Sequence, residues 1–411
     1  MAGRVVLAAI LVFGAASRLC ADDAGGPVRI GLTAGFSGPT RAMAVELYRG
    51  AAACLERQNR AGGLSGRPLE LLAADDGYQP TAAIENTVRF LTRDNVAVLL
   101  AQLGTPTVSR TLPVLRAYAE QGARLFFPVT GLAASRRPPY AAFVYNLRAS
   151  YNQEIEALVA AFLRRGLDRI AICHQADAFG RSGWDGARRA LARRGLRLVA
   201  EATFDRLAAA TADMTAQARL LAAAAPQAVL LVGAAPACTA VLRDMRRQGL
   251  DVPAGVVSFA GGEILLAALA AEGGRAGLDL EQGLILSQVT PDWRDDALPA
   301  AREYRQALAE LGSRRPPPGG WENTLPEGSA VGFEGFLNAR LLLAVLAAMP
   351  DPGDRTGLDA AAASLRCCDI GINVPVALAR PDHQALDTVY LATARNGRLV
   401  PLETVAVAAG Q

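Results

Sequence analysis

The segment Val96-Ala-Val-Leu-Leu-Ala101 and the segment Thr105-Pro-Thr107 that follows it decide the fold class of this chain. The first segment is apolar without alternation, which predicts a strand buried on both faces. The second segment places a proline in the first turn of a helix, where the missing N–H is not needed. A buried strand that leads directly into a helix is the repeating unit of a parallel α/β sheet.

Similar units follow one another in two series along the chain. Strands of the first series are predicted at Val28–Thr33, Leu69–Ala74, Val96–Ala101 and Leu125–Phe127. Strands of the second series are predicted at Ile170–Cys173, Arg197–Thr203, Ala228–Val232, Gly255–Phe259 and Leu284–Val289. Helices are predicted between the strands, so the pattern indicates an α/β protein with two doubly wound parallel-sheet lobes.

The end of the chain departs from this repeat. Helices are predicted at Ala330–Ala348 and Leu358–Leu365, and strand-like segments at Val374–Ala379, Thr388–Ala394 and Leu399–Val405. Asn396-Gly397, between the last two segments, is a hairpin signal.

The two series are not separated by a long flexible linker. We therefore predict lobes joined by a multi-strand hinge, an arrangement that usually closes around a ligand. Residues 22–148 and 290–348 are assigned to one lobe, and residues 149–289 and 349–411 to the other.

The first 21 residues have the pattern of a signal peptide. Arg4 supplies the charged n-region, and Val5–Ala16 is an apolar run too short to span a bilayer. Cleavage is predicted near Ala21, which would place the mature protein in the periplasm. Anchoring as a lipoprotein through Cys20 is the alternative, and Arg18 disfavours it because such a site has a small residue there.

Charge and composition exclude several classes of function. The net charge of +3 gives no argument for binding nucleic acid or an anionic membrane. All 42 basic residues are arginine, which removes Schiff-base and P-loop lysine chemistry. The two histidines, His174 and His383, belong to no recognisable triad or metal cluster. We therefore predict that the protein is not an enzyme and uses neither a metal nor another cofactor.

Five cysteines would remain after cleavage, and an odd number leaves at least one thiol unpaired. Cys54 and Cys238 fall on helical patterns and Cys173 on a strand, which predicts buried free thiols. The adjacent Cys367 and Cys368 could form a strained bridge with each other, or one of them could pair elsewhere.

The stretch Ser258-Phe-Ala-Gly-Gly-Glu263 carries the first indication of a ligand. It is interpreted as an apolar strand that runs into a glycine turn and ends on a carboxylate. Open α/β sheets bind ligands outside the carboxyl ends of their strands, where Glu263 could meet a cationic group such as an α-ammonium. The alternative is a surface glutamate at the start of a helix, where the helix dipole favours an anion.

The order of several short motifs resembles a known family. The motifs are Gly35-Phe-Ser-Gly-Pro39, Asn59-Arg-Ala-Gly-Gly-Leu-Ser-Gly66, Asp75-Asp76, Leu103-Gly-Thr-Pro-Thr107, Pro128-Val-Thr-Gly131, Asn146-Leu-Arg-Ala-Ser-Tyr151, Asp177-Ala-Phe-Gly180 and the segment that ends at Glu263. Together they are similar to type I periplasmic solute-binding proteins of the leucine/isoleucine/valine-binding family, which serve ABC importers. The resemblance implies a monomer that binds a small molecule and docks on ABC permease subunits of the inner membrane.

The resemblance also implies a set of ligand contacts. In amino-acid binders of this family the first lobe holds the α-carboxylate, which here falls to Thr105 and to the segment Val129, Thr130 and Gly131. Thr105 starts a helix, where free N–H groups and the helix dipole attract an anion. The second lobe holds the α-ammonium with a carboxylate, which here falls to Glu263.

This chain departs from the family pattern at several pocket positions. Ala234 stands where the family often has a tyrosine, Met43 stands at an aromatic position, and Gly131 stands at a hydroxyl position. Phe179 keeps an aromatic ring that could stack over the ligand. These changes enlarge the pocket or remove polar contacts, so an aromatic acid is an alternative to an amino acid. A sensory protein that presents its ligand to a membrane receptor is the alternative to an importer component.

Several further residues could have either a functional or a structural role. Tyr151 either contacts the ligand from the hinge or packs the first turn of a helix, and Arg148 is interpreted as a structural ion-pair residue. Asp76, with its neighbour Asp75, is interpreted as the end of a strand and the cap of a turn. Glu334 lies on a helix face directed between the lobes and is a weaker candidate for the pocket.

Overall fold

The computed structural model describes residues 25–322 and 324–407. The predicted signal peptide, with Cys20 and the cleavage position near Ala21, lies outside the described residues.

The first lobe is built on a five-stranded parallel sheet. Its elements are β1 (Val28–Ala34), α1 (Arg41–Arg60), β2 (Leu69–Asp75), α2 (Pro80–Thr92), β3 (Val98–Leu100), α3 (Thr105–Ala117), β4 (Leu125–Phe126) and β5 (Val144–Tyr145). The strand order is β2-β1-β3-β4-β5, with Ile30 of β1 paired to Leu71 on one side and Val98 on the other. The central strands are buried on both faces, as their continuous apolar sequence predicts.

The second lobe is built on a seven-stranded mixed sheet. Its first elements are α4 (Tyr151–Leu163), β6 (Ile170–Gln175), α5 (Ala178–Ala192), β7 (Glu201–Phe204), α6 (Thr215–Ala223), β8 (Ala228–Val232), α7 (Ala235–Arg247), β9 (Ala254–Val256), α8 (Glu263–Ala276) and β10 (Leu284–Gln288). The chain then forms α9 (Pro299–Leu311), α10 (Ala330–Ala347), α11 (Leu358–Ser364), β11 (Thr388–Arg395) and β12 (Arg398–Ala406). The strand order is β12-β11-β10-β9-β8-β6-β7, in which β11 and β12 are antiparallel.

The hairpin predicted at Asn396-Gly397 is confirmed. Both residues have a positive φ, 52° and 73°, and they connect β11 to β12. This hairpin adds an antiparallel edge to an otherwise parallel sheet, while the predicted class of two doubly wound α/β lobes is confirmed.

One predicted strand is wrong and another ends earlier than predicted. The strand predicted at Gly255–Phe259 is present as β9 but ends at Val256, and Ser258–Ala260 forms a short 3-10 helix. The segment at 374–379 forms only an isolated bridge between Val376 and Cys368. Pro375 in its middle has no N–H to donate to a strand ladder, which limits pairing to that bridge.

Helices α9, α10 and α11 pack on the first lobe, although they follow β10 in sequence. Arg60 of α1 donates to Glu310 of α9 at 3.0 Å, and Ser329, which caps α10, donates to Glu46 of α1 at 2.8 Å. Arg124, just before β4, donates to Asp359 of α11 at 2.7 Å. The assignment of 349–411 to the second lobe is therefore corrected, because α11 lies against the five-stranded sheet and only β11 and β12 join the other sheet.

The chain crosses between the lobes three times, through residues 146–150, 289–298 and 365–387. Helix α10 is long and apolar enough to cross a membrane by length and composition, and 72% of it is buried inside the protein. That burial is typical of a core helix.

The prediction of buried free thiols is confirmed for three cysteines. Cys54, Cys173 and Cys238 are buried and unpaired. Cys367 and Cys368 are also free, so neither pairing that was open for them is formed between cysteines of residues 25–322 and 324–407.

The strand order places one crevice in each lobe. In the first sheet the order reverses between β1 and β3, and in the second sheet it reverses between β6 and β8. Ligands of open α/β sheets bind outside the carboxyl ends of the strands at such a switch point. The residues that follow β3, β6 and β8 include Thr105, Phe179 and Ala234, so three predicted site residues stand at the expected edges.

Candidate ligand-binding site

Three hydroxyl groups meet at the hinge side of the cleft between the lobes. The Oγ1 atoms of Thr105 and Thr130 lie 2.7 Å apart, and Thr105 Oγ1 donates to the Tyr151 hydroxyl at 3.2 Å. The backbone N–H of Leu132 donates to Thr130 Oγ1 at 3.2 Å. All three side chains are fully buried. We call these three residues the hydroxyl cluster.

The hydrogen bonds of the hydroxyl cluster have a defined order of donors and acceptors. When Thr130 donates to Thr105 and Thr105 donates to Tyr151, the Tyr151 hydrogen is left to donate. Within residues 25–322 and 324–407, the structure shows no acceptor for it. Burial raises the pKa of Tyr151 to about 12, so the phenol keeps this proton at physiological pH. The cluster can therefore donate a hydrogen bond to an anionic ligand.

Gly131 permits the close contact that holds Tyr151 in place. Its carbonyl accepts a hydrogen bond from the Tyr151 N–H at 3.0 Å. A Cβ at this position would lie 2.4 Å from that nitrogen and 2.5 Å from Tyr151 Cγ. The hydroxyl that the family carries here would displace Tyr151, which is a physical reason for the glycine.

We expect Gly131→Ala to weaken ligand binding and to destabilise the fold by about 1–3 kcal/mol, the cost of overpacking. Gly274→Ala is the matched control. That glycine lies exposed in α8, and its added Cβ would meet no atom within 4 Å. Denaturant unfolding and ligand titration of both variants check the prediction. Equal stabilities of the two variants would show that Gly131 tolerates a side chain.

Val129 contributes no free backbone group to this site. Its N–H donates to the Gln102 carbonyl at 2.9 Å, and its carbonyl accepts from the Gly104 N–H at 3.2 Å. The segment 129–131 therefore reaches the cleft through the Thr130 side chain, while Val129 fixes the position of that segment against β3.

Four aromatic rings from both lobes continue from the hydroxyl cluster. The ring of Tyr151 lies 5.0 Å from that of Phe179, which lies 4.7 Å from that of Phe259. Phe259 in turn lies 6.1 Å from Tyr78, a residue of the first lobe. All four side chains are at most 1% exposed. The rings fill the space between the two crevices in this closed arrangement.

Tyr78 was not predicted from the sequence. Its hydroxyl accepts a hydrogen bond from Gln175 of the second lobe at 3.2 Å, so it spans the cleft. It follows the carboxyl end of β2 and has a φ of 61°, which turns its side chain out of the strand direction. Its place four residues beyond a predicted strand end was the only signal in the sequence.

Asp76 holds the backbone of Tyr78 in position through a hydrogen bond. Its Oδ1 accepts from the Tyr78 N–H at 2.8 Å and its Oδ2 from Thr33 Oγ1 at 3.0 Å, which confirms the predicted role as a turn cap. Burial raises the pKa of this carboxyl to about 7. The group therefore stays partly protonated near neutral pH.

The raised pKa of Asp76 predicts a loss of stability with rising pH. In the unfolded chain the group loses its proton near pH 3.9, so between about pH 4 and pH 7 the unfolded state binds fewer protons than the folded state. From pH 5 to pH 7 this group should lower the free energy of unfolding by about 2 kcal/mol. Asp76→Asn should flatten that slope in denaturant titrations at several pH values. If the free energy of unfolding falls equally steeply with pH in parent and variant, groups other than Asp76 cause the loss of stability.

Glu263 does not join the hydroxyl cluster in any described hydrogen bond. Its Oε1 accepts from Trp293 Nε1 at 2.7 Å and from Arg294 Nη1 at 3.3 Å, and its Oε2 accepts from the Ala330 N–H at 3.1 Å. Its side chain is 11% exposed. The carboxylate at the start of α8 thus ties the second lobe to a crossing segment and to the start of α10.

Met43 and Ala234 face each other across a separate part of the cleft. They line a cavity of about 250 Å³ between α1 of the first lobe and α7 and α8 of the second. Phe259 forms part of its wall, and the other walls include Ala42, Ile264 and Ala268. Since Phe259 also touches Phe179, this cavity and the hydroxyl cluster lie on two sides of the same aromatic rings. We call this cavity the apolar cleft.

A buried guanidinium connects the lobes beside these rings. Arg148 is 1% exposed; its Nη2 contacts Glu154 Oε1 at 3.4 Å and donates to Ser258 Oγ. Its Nη1 lies 3.5 Å from Glu334 of α10, and burial raises the pKa of Glu334. The interpretation of Arg148 as an ion-pair residue is confirmed, and Glu334 faces this arginine.

These features define a class of protein: two α/β lobes that close on an enclosed site with few polar groups. Residues 27–398 match the family described as periplasmic binding protein, and the chain belongs to that family. The predicted resemblance to type I solute-binding proteins is therefore confirmed.

Individual relatives agree with this assignment. An amino acid binding protein of Pseudomonas aeruginosa is 27% identical over 252 residues, which cover 60% of this chain and 63% of that relative. The aligned part is thus less than two thirds of the relative. A solved structure of a possible leucine/isoleucine/valine-binding protein from Rhodopirellula baltica SH 1 has 27% identity and a TM-score of 0.80, with coverage of 93% and 97%. A substrate-binding periplasmic protein from Ralstonia solanacearum has 26% identity and a TM-score of 0.80, with coverage of 91% and 100%.

Proposed function

We infer that this chain is the extracytoplasmic substrate-binding protein of an ABC importer. It captures an amino acid or a related small organic acid by closure of the two lobes. The observation that carries this inference is the hydroxyl cluster, in which Thr105 and Thr130 of the first lobe meet Tyr151 of the second in a buried, water-excluded position. A hydrogen bond from such donors to a carboxylate is stronger than one between neutral groups.

The relatives support the same inference. They are described as an amino acid binding protein, a possible leucine/isoleucine/valine-binding protein and a substrate-binding periplasmic protein. Binding would favour the closed state by the difference in affinity between the closed and open forms. The closed form would then dock on permease subunits of the inner membrane, which the predicted signal peptide allows the chain to reach.

The test is a thermal-shift screen of the purified protein with amino acids, other small organic acids, sugars and nucleosides. A ligand present at a hundred times its dissociation constant stabilises the folded state by about 2.7 kcal/mol. The melting midpoint should then rise by several degrees, since about 2–4 °C accompanies each kcal/mol in proteins of this size. The inference fails if sugars or nucleosides shift the midpoint and no acid does.

A further inference from the structure

The apolar cleft indicates what kind of acid the site accepts. None of the side chains that line this cavity, within the described parts of the chain, carries a charge. Its volume of about 250 Å³ suits the body of a small organic molecule. We propose that the ligand is a monocarboxylic acid with an apolar body and no ammonium group. This proposal rests on the proposed function and specifies its substrate class.

The carboxylate end of the ligand has a defined place. Thr105 and Thr130 lie in the first lobe, and Tyr151 lies in the second. The rings of Phe179 and Phe259 also belong to the second lobe, so opening of the lobes separates the two threonine hydroxyls from the Tyr151 hydroxyl and the rings. A ligand that enters the opened cleft meets both halves of the hydroxyl cluster at one end. Its carboxylate accepts the Tyr151 hydrogen that the closed structure leaves without an acceptor among the described residues. Its body then lies along Phe259 toward the apolar cleft.

Two carboxylates near this path already accept several hydrogen bonds from the protein. Glu263 accepts hydrogen bonds from three donors on Trp293, Arg294 and Ala330. Asp177 accepts from the N–H groups of Phe179 and Gly180 and from the Gln175 side chain.

Glu334 is a further candidate partner for an ammonium group, and it faces a guanidinium. Arg148 Nη1 lies 3.5 Å from its carboxylate. An incoming ammonium would have to compete with this buried arginine for one carboxylate. A charged group that is enclosed without a partner is strongly disfavoured. The site therefore discriminates against the ammonium of an amino acid while it keeps the carboxylate.

Matched ligand pairs test the proposal directly. We would titrate the full-length protein by calorimetry with phenylalanine and 3-phenylpropanoate, and with leucine and 4-methylpentanoate. Each pair shares the apolar body and differs only in the ammonium group. We expect the acid without the ammonium to bind at least tenfold more tightly in at least one pair. The proposal is overturned if each amino acid binds as tightly as its partner, and Glu263→Gln and Glu334→Gln would then show which carboxylate holds the ammonium.

Two outcomes separate this proposal from the proposed function. If none of the four compounds binds but the thermal-shift screen finds another amino acid, the importer function stands and the substrate class is wrong. If none binds and the screen finds no organic acid, both fail.

Variants that fill the apolar cleft locate the body of the ligand. Ala268→Phe in α8 and Ala42→Phe in α1 narrow the cleft from opposite lobes. Each should weaken the tighter acid at least tenfold. Ala270→Phe is the matched control, because this exposed residue of α8 does not line the cavity, and it should change the affinity less than threefold. Melting midpoints without ligand confirm that each variant folds. Unchanged affinity in both folded cleft variants would overturn the proposal.

Discussion

Replacement of Arg148 by alanine should lower the free energy of unfolding by about 3–5 kcal/mol, the effect of removing one partner from a buried ion pair. The variant leaves two buried carboxylates, Glu154 and Glu334, on facing lobes without their guanidinium. Glu154 keeps hydrogen bonds from the Ser258 N–H at 2.8 Å and from Ser287 Oγ at 2.6 Å, but Glu334 has no described hydrogen-bond donor. We therefore expect Glu334 to take up a proton in the variant.

Denaturant unfolding at pH 7 measures this effect. Arg189→Ala is the matched control, since Arg189 pairs with Asp185 on the exposed surface of α5 at 2.8 Å. Exposed helix pairs of this kind contribute about 0.3–0.5 kcal/mol. Adding Glu334→Gln to Arg148→Ala should recover part of the loss. Equal losses for Arg148→Ala and Arg189→Ala would mean that the buried cluster does not hold the lobes together.

The second large effect concerns binding. Thr105→Val and Thr130→Val keep the volume of the side chain and remove a hydroxyl from the hydroxyl cluster. The two threonine hydroxyls orient the Tyr151 hydroxyl, whose hydrogen bond to a charged carboxylate contributes about 1.5–3 kcal/mol. Each variant disturbs that bond without removing its donor, so binding of an organic acid should weaken by up to about a hundredfold. The two effects should be less than additive, because both hydroxyls act through one chain of hydrogen bonds.

Calorimetric titration with the acid that raises the melting midpoint most is the measurement. Ser109→Ala is the matched control on the same helix, because Ser109 Oγ donates to the Pro106 carbonyl within α3 and takes no part in the hydroxyl cluster. It should change the affinity less than twofold. If the two valine variants bind the acid as tightly as the parent does, the hydroxyl cluster is not part of the binding site.

The fold could be predicted well because its signals are local. Short-range sequence identifies continuous apolar strands such as Ala228–Val232 and helix starts such as Thr105. The order of the strands then determines the edge of the sheet at which a ligand binds. The 374–379 segment shows the limit of that approach. Its apolar residues are interrupted by a proline, and among the described residues its strand pairing is limited to one bridge.

The site could be predicted only in part, because tertiary contacts decide it. Glu263 follows a predicted strand end, but its partners Trp293 and Ala330 lie 30 and 67 residues away in sequence. Tyr78 becomes part of the cleft only through Gln175, 97 residues further on. Sequence patterns could indicate Thr105 as a site residue, because its position depends on a helix start that is visible in the local sequence.

The most direct test of an inter-lobe site is hydrogen exchange with and without the acid that stabilises the protein most. The account predicts slower amide exchange at 103–107 and 129–131 of the first lobe together with 258–262 of the second. Helix α11, which contacts Arg124 and Tyr145 through Asp359 and none of these segments in any described hydrogen bond, should exchange at the same rate in both samples. Protection of one lobe alone, or protection centred away from the cleft, would contradict binding by closure.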